Sequence, residues 1–143
     1  MSMFPQFTSI IARRQIDISA EQAWSRIGAF GDAGQFLGIN SQLLGGDRGL
    51  GTVRQVGDAV VEVMVGQSRT AYTYVQIEGP MASRHYHGHV GLEPTGPDAC
   101  ELIWAITFDQ TLASDEQRTE EHARLTQRFD GGALAMKRHA ELP

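Results

Sequence analysis

The stretch IDISAEQAWSRIGAFGD, residues 16–32, joins the end of a predicted strand to the start of a predicted helix. Before it, apolar and polar residues alternate along Thr8–Ile18, which is the pattern of a strand with one buried face. Ser19 then stands where a helix N-cap is expected, and Gln22 follows three residues later, as in a capping box. The helix predicted over Ala20–Phe30 has an apolar stripe at helical spacing, formed by Ala23, Trp24, Ile27 and Phe30. The chain therefore begins with a strand that leads directly into an amphipathic helix.

The part of the chain after this helix is rich in β-forming residues. A short second helix is predicted at Ala33–Leu37, and β-rich runs then alternate with turn-forming segments such as GGDRGLG and PTGPDA. Connections this short predict antiparallel neighbours in one sheet. The predicted strands are Ser41–Leu44, Gly51–Val56, Ala59–Val65, Arg69–Glu78, Ser83–Glu93 and Cys100–Thr111.

The last segment predicts a long helix over residues 114–139, with Ser114 as its N-cap. Its Gly131-Gly132 pair indicates a break, a kink or a gap that faces a ligand, because glycine weakens helices. No other long element is left to cover one face of the sheet. A curved sheet folded around one helix leaves space between them, and such space is a natural ligand cavity.

The composition excludes several classes of protein. With 143 residues, the chain fits a single domain over residues 1–143 that can bury a core. The net charge of −5 argues against a nucleic-acid partner, which needs a basic face. No apolar run approaches the ~20 residues that cross a bilayer, so no membrane insertion is expected. The single cysteine, Cys100, cannot form an internal disulfide, and the N-terminus lacks a signal-peptide pattern, which together indicate a cytoplasmic protein.

The order of elements resembles a known superfamily. The matching stretches are the opening segment at residues 16–32, GTVRQV, YTYVQIEGPM, RHYHGHVGLEPTG and ELIWAITFD. Together they resemble the SRPBCC, or START-like, proteins, and most of all their bacterial polyketide cyclase/dehydrase-like branch. The resemblance implies an α+β helix-grip fold: a curved antiparallel sheet of about seven strands wrapped on a long C-terminal helix, with two short helices after the first strand. It also implies that the chain binds or transforms a small apolar molecule.

Three histidines on alternate residues, His85, His87 and His89, raise the question of a metal site. On a strand they would lie opposite Tyr86 and Gly88, on the face that burial disfavours. The resemblance agrees, because members use the face matching Tyr86 and Gly88 as cavity wall. We therefore expect the histidines to face solvent or a partner subunit, and we expect no metal site.

Two other strands leave the inward face open. Along Ala59–Val65, alternation alone buries the valines and exposes Glu62, whereas the resemblance directs Glu62 into the cavity. Along Cys100–Thr111, apolar burial favours the face of Trp104, whereas receptor-like members would direct the face of Asp109 toward the ligand. For Ala59–Val65, the Glu62 face is slightly favoured as the inward one. For Cys100–Thr111, the inward face stays undecided at this point.

The first functional hypothesis is a carrier or sensor that encloses a small hydrophobic, aromatic or polyketide-like molecule. Arg54 and Glu62 would fix its polar groups, Arg54 by offering a planar fork of donors to a carboxylate or phenolate. The predicted walls are Met64, Tyr72, Tyr74, Tyr86, Gly88, Trp104, Leu125 and Phe129, with Phe36 at the mouth.

The second hypothesis is an enzyme of the cyclase, dehydratase or lyase type that needs no cofactor. Glu62, Tyr86 or His122 would transfer a proton to or from the bound molecule. A third hypothesis is a protein that binds only a partner, through the face of the three histidines. The sequence leaves a homodimer open, and it does not choose among these three functions.

Overall fold

The computed structural model describes residues 4–143, and it contains seven strands and three α-helices in this part of the chain. The strands are β1 Phe7–Ile16, β2 Ser41–Gly45, β3 Val53–Val56, β4 Val60–Ser68, β5 Ala71–Glu78, β6 His87–Gly96 and β7 Ala99–Asp109. The helices are α1 Ala20–Ile27, α2 Gly34–Leu37 and α3 Asp115–Ala140. Two 3₁₀ turns, Phe30–Asp32 and Ala82–Arg84, complete the described elements. The structure confirms the predicted α+β helix-grip fold, including the two short helices after the first strand.

All seven strands form one antiparallel sheet in the order β1-β7-β6-β5-β4-β3-β2. The first strand therefore pairs with the last, and Phe7 lies opposite Asp109 while Ile16 lies opposite Cys100. The remaining strands follow in chain order through short connections, as the turn-forming segments predict. The core lies on the face that α3 and α1 cover, where the buried side chains of the sheet are collected.

Helix α3 is continuous over its 26 residues, in spite of the two adjacent glycines. Its N-terminus has the reciprocal capping box of Ser114 and Gln117, which satisfies two backbone donors. Its buried face repeats every three or four residues and consists of Leu125, Phe129, Ala133, Met136 and Ala140. The burial of this apolar stripe, rather than helix propensity, holds the helix on the sheet.

Side chains fasten the C-terminal end of α3 to β1 and α1. Lys137 Nζ donates to the backbone oxygen of Gln15 over 2.6 Å and pairs with Glu141. Glu141 in turn accepts from the Asp17 amide, and Arg26 donates to the backbone oxygen of Ala140. These contacts fix the end of the helix against the junction between the first strand and the first helix.

The largest difference at the start of a predicted strand is found at β6. The prediction placed residues 83–93 in a strand, but Ala82–Arg84 form a 3₁₀ turn and His85 adopts a left-handed backbone with φ of 56°. Strand β6 therefore starts at His87, and His85 does not share its face with His87 and His89. The prediction of the buried face still holds, because Tyr86, Gly88 and the following apolar residues are buried while His85 and His87 are exposed.

Candidate functional site

A cavity of about 420 Å³ lies between α3 and the concave face of the sheet. Its floor comes from the inward side chains of β3, β4, β5 and β7 and from Tyr86, just before β6. Its roof comes from one side of α3. The floor residues are Arg54, Glu62, Tyr74, Gln76, Tyr86 and Trp104, and the roof residues are Leu125, Arg128, Phe129, Gly131, Gly132 and Ala135. Ala33, Leu37, Ile39, Val56, Val60, Pro80 and Met81 complete the lining. The cavity therefore has polar groups at its base and apolar walls around most of its circumference.

On β4 and β7, where the sequence left the inward face open, the larger side chains point inward. On β4, Glu62 is buried with 6 % exposure and Met64 with 3 %, whereas Val65 is 53 % exposed on the outer face. On β7, Trp104 is buried and Asp109 is only half-buried, so the choice based on apolar burial is correct there. Burying the indole and its neighbours outweighs any preference for Asp109.

Arg54 and Glu62 form a buried ion pair at the base of the cavity. They lie directly opposite each other on β3 and β4, because the antiparallel register brings their Cα atoms together. Arg54 Nε donates to Glu62 Oε1 over 3.0 Å, and Arg54 Nη2 lies 2.8 Å from the same oxygen. The two side chains are 5 % and 7 % exposed. A buried pair of this kind is retained at a desolvation cost, which makes it a candidate for function.

The Arg54 guanidinium makes four polar contacts, all with the protein. Its Nη1 donates to the backbone oxygen of Phe30 over 3.0 Å and to the Tyr72 hydroxyl over 3.4 Å. The Phe30 ring lies 4.0 Å from its central carbon. Burial disfavours the charged form, but the Tyr72 oxygen and the Glu62 carboxylate outweigh burial and raise the pKa of Arg54. Arg54 is thus a permanently charged counter-ion for Glu62, not the free fork of donors that the sequence predicted.

Tyr74, Tyr86 and Trp104 form the second polar group of the floor. Trp104 Nε1 donates to the Tyr74 hydroxyl over 3.0 Å, deep in the core. Burial raises the pKa of Tyr74 well above its ordinary value, and the Tyr86 hydroxyl raises it further. Burial also raises the pKa of Tyr86, although the neighbouring Tyr74 hydroxyl opposes this rise. Both phenols therefore stay protonated at neutral pH and can donate as well as accept.

Seven of the predicted site residues line the cavity, and four lie behind its wall. The seven are Arg54, Glu62, Tyr74, Tyr86, Trp104, Leu125 and Phe129. Tyr72 is covered by Phe30 and Trp24 and supports Arg54 from below. Gly88 lies under the Tyr74 ring, where a Cβ would come within 2.3 Å of Tyr74 Cζ.

Met64 and Phe36 are the other two predicted lining residues outside the cavity. Met64 is buried next to the floor in the core, and Phe36 packs against His139 with a ring distance of 5.5 Å. The neighbour of Phe36, Leu37, reaches the cavity instead. Because α2 has only four residues, a shift of one residue along this helix changes which side chain points into the cavity.

His122, the third candidate for proton transfer, does not reach the cavity. It is exposed on α3, on the side of the helix next to Ile11 and Arg13, and Thr126 is its hydrogen-bonding neighbour at 3.4 Å. It lies on the same helix face as Leu125 and Phe129 but nearer the N-terminus of α3, and it is not among the residues that line the cavity. Within residues 4–143, no group of three or more potential ligands from His, Cys, Asp and Glu is arranged to hold a metal ion.

Sequence reasoning missed three polar or flexible groups of the lining, namely Gln76, Met81 and Arg128. Gln76 is buried and accepts from the Met81 amide over 2.8 Å, which ties the turn after β5 to the floor. The alternation of Tyr72, Tyr74 and Gln76 on one face was the signal for Gln76. The glycine pair was the signal for the roof, because Gly131 and Gly132 both line the cavity. Gly131 has open space beside it, whereas Gly132 lies close to the Trp104 ring.

The sequence matches the model of the family described as polyketide cyclase/dehydrase and lipid transport, over residues 8–141. The chain belongs to this family. No curated protein sequence matches the chain. Within residues 4–143, no helix is long and apolar enough to cross a membrane.

Solved structures with low sequence identity share the fold of this chain. A protein from Thermobifida fusca is 18 % identical with a TM-score of 0.79, and the match covers 92 % of each chain. An uncharacterised protein from Bacillus thuringiensis is 24 % identical with a TM-score of 0.76, over 92 % of this chain and 97 % of that one. A point mutant of norcoclaurine synthase from Thalictrum flavum, bound to a transition-state analogue, is 17 % identical with a TM-score of 0.67, over 97 % and 94 %. At these identities the comparison establishes the fold.

Proposed function

We propose that the protein binds a small hydrophobic molecule, aromatic or polyketide-like, in the cavity between the sheet and α3. The observation that carries this proposal is an apolar cavity with a charged pair buried at its base. Its volume of about 420 Å³ falls within the ~300–1,000 Å³ typical of small-molecule sites. The family, whose description covers polyketide cyclases and lipid transport, supports hydrophobic-ligand binding or cyclase-type activity in general.

Aromatic walls favour a flat ligand. The Trp104 and Phe129 rings meet edge to face, with centroids 4.7 Å apart, and they form one corner of the cavity. Aromatic surfaces of this kind prefer stacked or edge-on contact with another ring. Leu125 and Ala135 add aliphatic surface from the helix. A planar, mainly apolar molecule would fill this space with little loss of its own conformational freedom.

The proposal is tested by identifying what the purified protein retains, with native mass spectrometry, and by measuring fluorescence of the neutral probe N-phenyl-1-naphthylamine. Replacing Ala135 with Phe fills the cavity from the roof and should abolish probe binding. Replacing the exposed Gln127 with Phe adds the same ring outside the cavity and should leave binding unchanged. Equal probe binding by both variants would refute the cavity as the site.

A second candidate function is cofactor-free acid–base catalysis on the same ligand. The observation that favours it is the pairing of a buried carboxylate with a phenol whose pKa is raised by burial, both at the cavity floor. Glu62 would accept a proton, and Tyr86 would donate one. If the wild type converts the retained molecule, and Glu62→Gln binds it but does not convert it, the protein is an enzyme. Binding without conversion in either form favours a carrier.

A further inference from the structure

The Glu62 carboxylate offers one oxygen to the cavity. Both contacts with Arg54 involve Oε1, at 3.0 Å and 2.8 Å, and within residues 4–143 no group donates a hydrogen bond to Oε2. A carboxylate oxygen is a strong acceptor, and its hydrogen bonds are stronger than those of a neutral oxygen because it is charged. The side chain is 7 % exposed and lines the cavity, so a molecule bound there can supply a donor to Oε2.

The cations around the cavity do not provide a site for an acid. The lining contains two, Arg54 and Arg128. Arg54 makes four polar contacts, all with the protein, and its face is covered by the Phe30 ring. Arg128 is exposed at the mouth, where water and salt screen its charge. A ligand carboxylate placed at the base would therefore meet the Glu62 carboxylate without a free counter-ion.

We propose that the cavity selects aromatic molecules that carry a hydroxyl or N–H donor, which binds Glu62 Oε2, and that it excludes aromatic carboxylates. This inference rests on the proposed function and adds the polar chemistry of the ligand to it. The Tyr86 hydroxyl and the Gln76 side chain lie on the same floor and can bind a carbonyl or ether oxygen elsewhere on the molecule. The preferred ligand is thus a phenol, an alcohol or an amine built on an apolar ring system.

The experiment compares three probes that share one ring system: naphthalene, 2-naphthol and 2-naphthoate. Binding is followed by the indole N–H signals of ¹⁵N-labelled protein. Trp104 lines the cavity, while Trp24 packs against Tyr72 outside it and provides an internal reference. A hydrogen bond to a charged acceptor predicts that 2-naphthol binds about tenfold or more tightly than naphthalene. We expect 2-naphthoate to bind about tenfold or more weakly than 2-naphthol.

Two variants sharpen the comparison. Arg128→Gln removes the cation at the mouth and should leave the order of the three probes unchanged. Glu62→Gln removes the carboxylate and leaves Arg54 without its counter-ion, so 2-naphthoate should become the preferred probe and should raise the melting temperature of this variant. If Glu62→Gln does not fold, the order of the probes on the wild type and on Arg128→Gln still decides.

The possible results separate this inference from the proposed function. Equal binding of naphthalene and 2-naphthol, or tight binding of 2-naphthoate to both the wild type and Arg128→Gln, would overturn the selectivity and leave the cavity as a binding site. Failure of all three probes to move the Trp104 signal would overturn both the selectivity and the proposed function.

Discussion

The adjacent glycines of α3 provide a matched pair of substitutions, because alanine gives both the same gain in helix propensity. A Cβ added at Gly131 meets no atom within 4 Å, so Gly131→Ala should raise the free energy of unfolding by about 0.5–1 kcal/mol. A Cβ added at Gly132 comes within 2.7 Å of Trp104 Cζ3, about 1 Å closer than ordinary contact. The indole cannot easily move, because its Nε1 is bonded to Tyr74 and Phe129 packs against its ring.

Relieving this overlap should cost about 1–3 kcal/mol, the usual penalty for an overpacked core. Since the propensity terms cancel, Gly132→Ala should be less stable than Gly131→Ala by the same amount, about 1–3 kcal/mol. Urea unfolding followed by circular dichroism measures both variants under identical conditions. In addition, the indole N–H signal of Trp104 should shift in Gly132→Ala and stay in place in Gly131→Ala. Equal stability of the two variants, with an unmoved indole signal, would show that Trp104 does not press against the roof.

Three further predictions concern groups outside the glycine pair. Glu62→Gln should lower the free energy of unfolding by about 3–5 kcal/mol, because it leaves the buried Arg54 charge unpaired. Arg54→Met combined with Glu62→Leu should recover much of this loss, and urea unfolding measures both variants. The Arg84 hydrogen bonds hold the pKa of Glu121 below its ordinary value of 4.5, so this pair stabilises the protein above pH 4.5 and loses its effect as the pH falls through the lowered pKa. The stability difference between the wild type and Arg84→Gln should therefore shrink on acidification, and a constant difference would contradict the pairing. Burial raises the pKa of the Cys100 thiol, so its labelling by a disulfide reagent should rise only in step with unfolding.

The sequence was sufficient for the order of elements and for most buried faces. Strand alternation placed Tyr86 inward and His87 outward because the choice lies between apolar and polar side chains. The same rule was ambiguous around Glu62, since valines occupy the opposite face of that strand. What decides there is the register of β3 against β4, which places Arg54 opposite Glu62. Register between strands is a non-local property, and alternation within one strand does not contain it.

The depth of each side chain was also beyond the reach of the sequence. Tyr72 and Tyr74 share one face, yet Tyr74 lines the cavity and Tyr72 lies beneath Arg54. The difference arises from packing, because the Phe30 ring covers Tyr72 at a centroid distance of 5.1 Å. His122 shows the same limit on the helix. Its spacing from Leu125 places it on the face of the apolar stripe, yet the side chain is exposed, because it lies nearer the N-terminus of α3 and outside the cavity lining.

The attachment of α3 at both ends has a consequence for how a ligand enters and leaves the cavity. Beyond the C-terminal contacts described above, Arg84 donates two hydrogen bonds of 2.6 Å to Glu121, near the N-terminal end of α3. Lifting the helix would break both sets of contacts and expose its apolar stripe. The four-residue helix α2 and the turn after β5 also line the cavity, through Leu37, Pro80 and Met81. We therefore expect a ligand to enter and leave between these short segments, on the nanosecond-to-microsecond timescale of loop motions. Its residence time would then depend on its contacts with the cavity floor and not on a slow opening step.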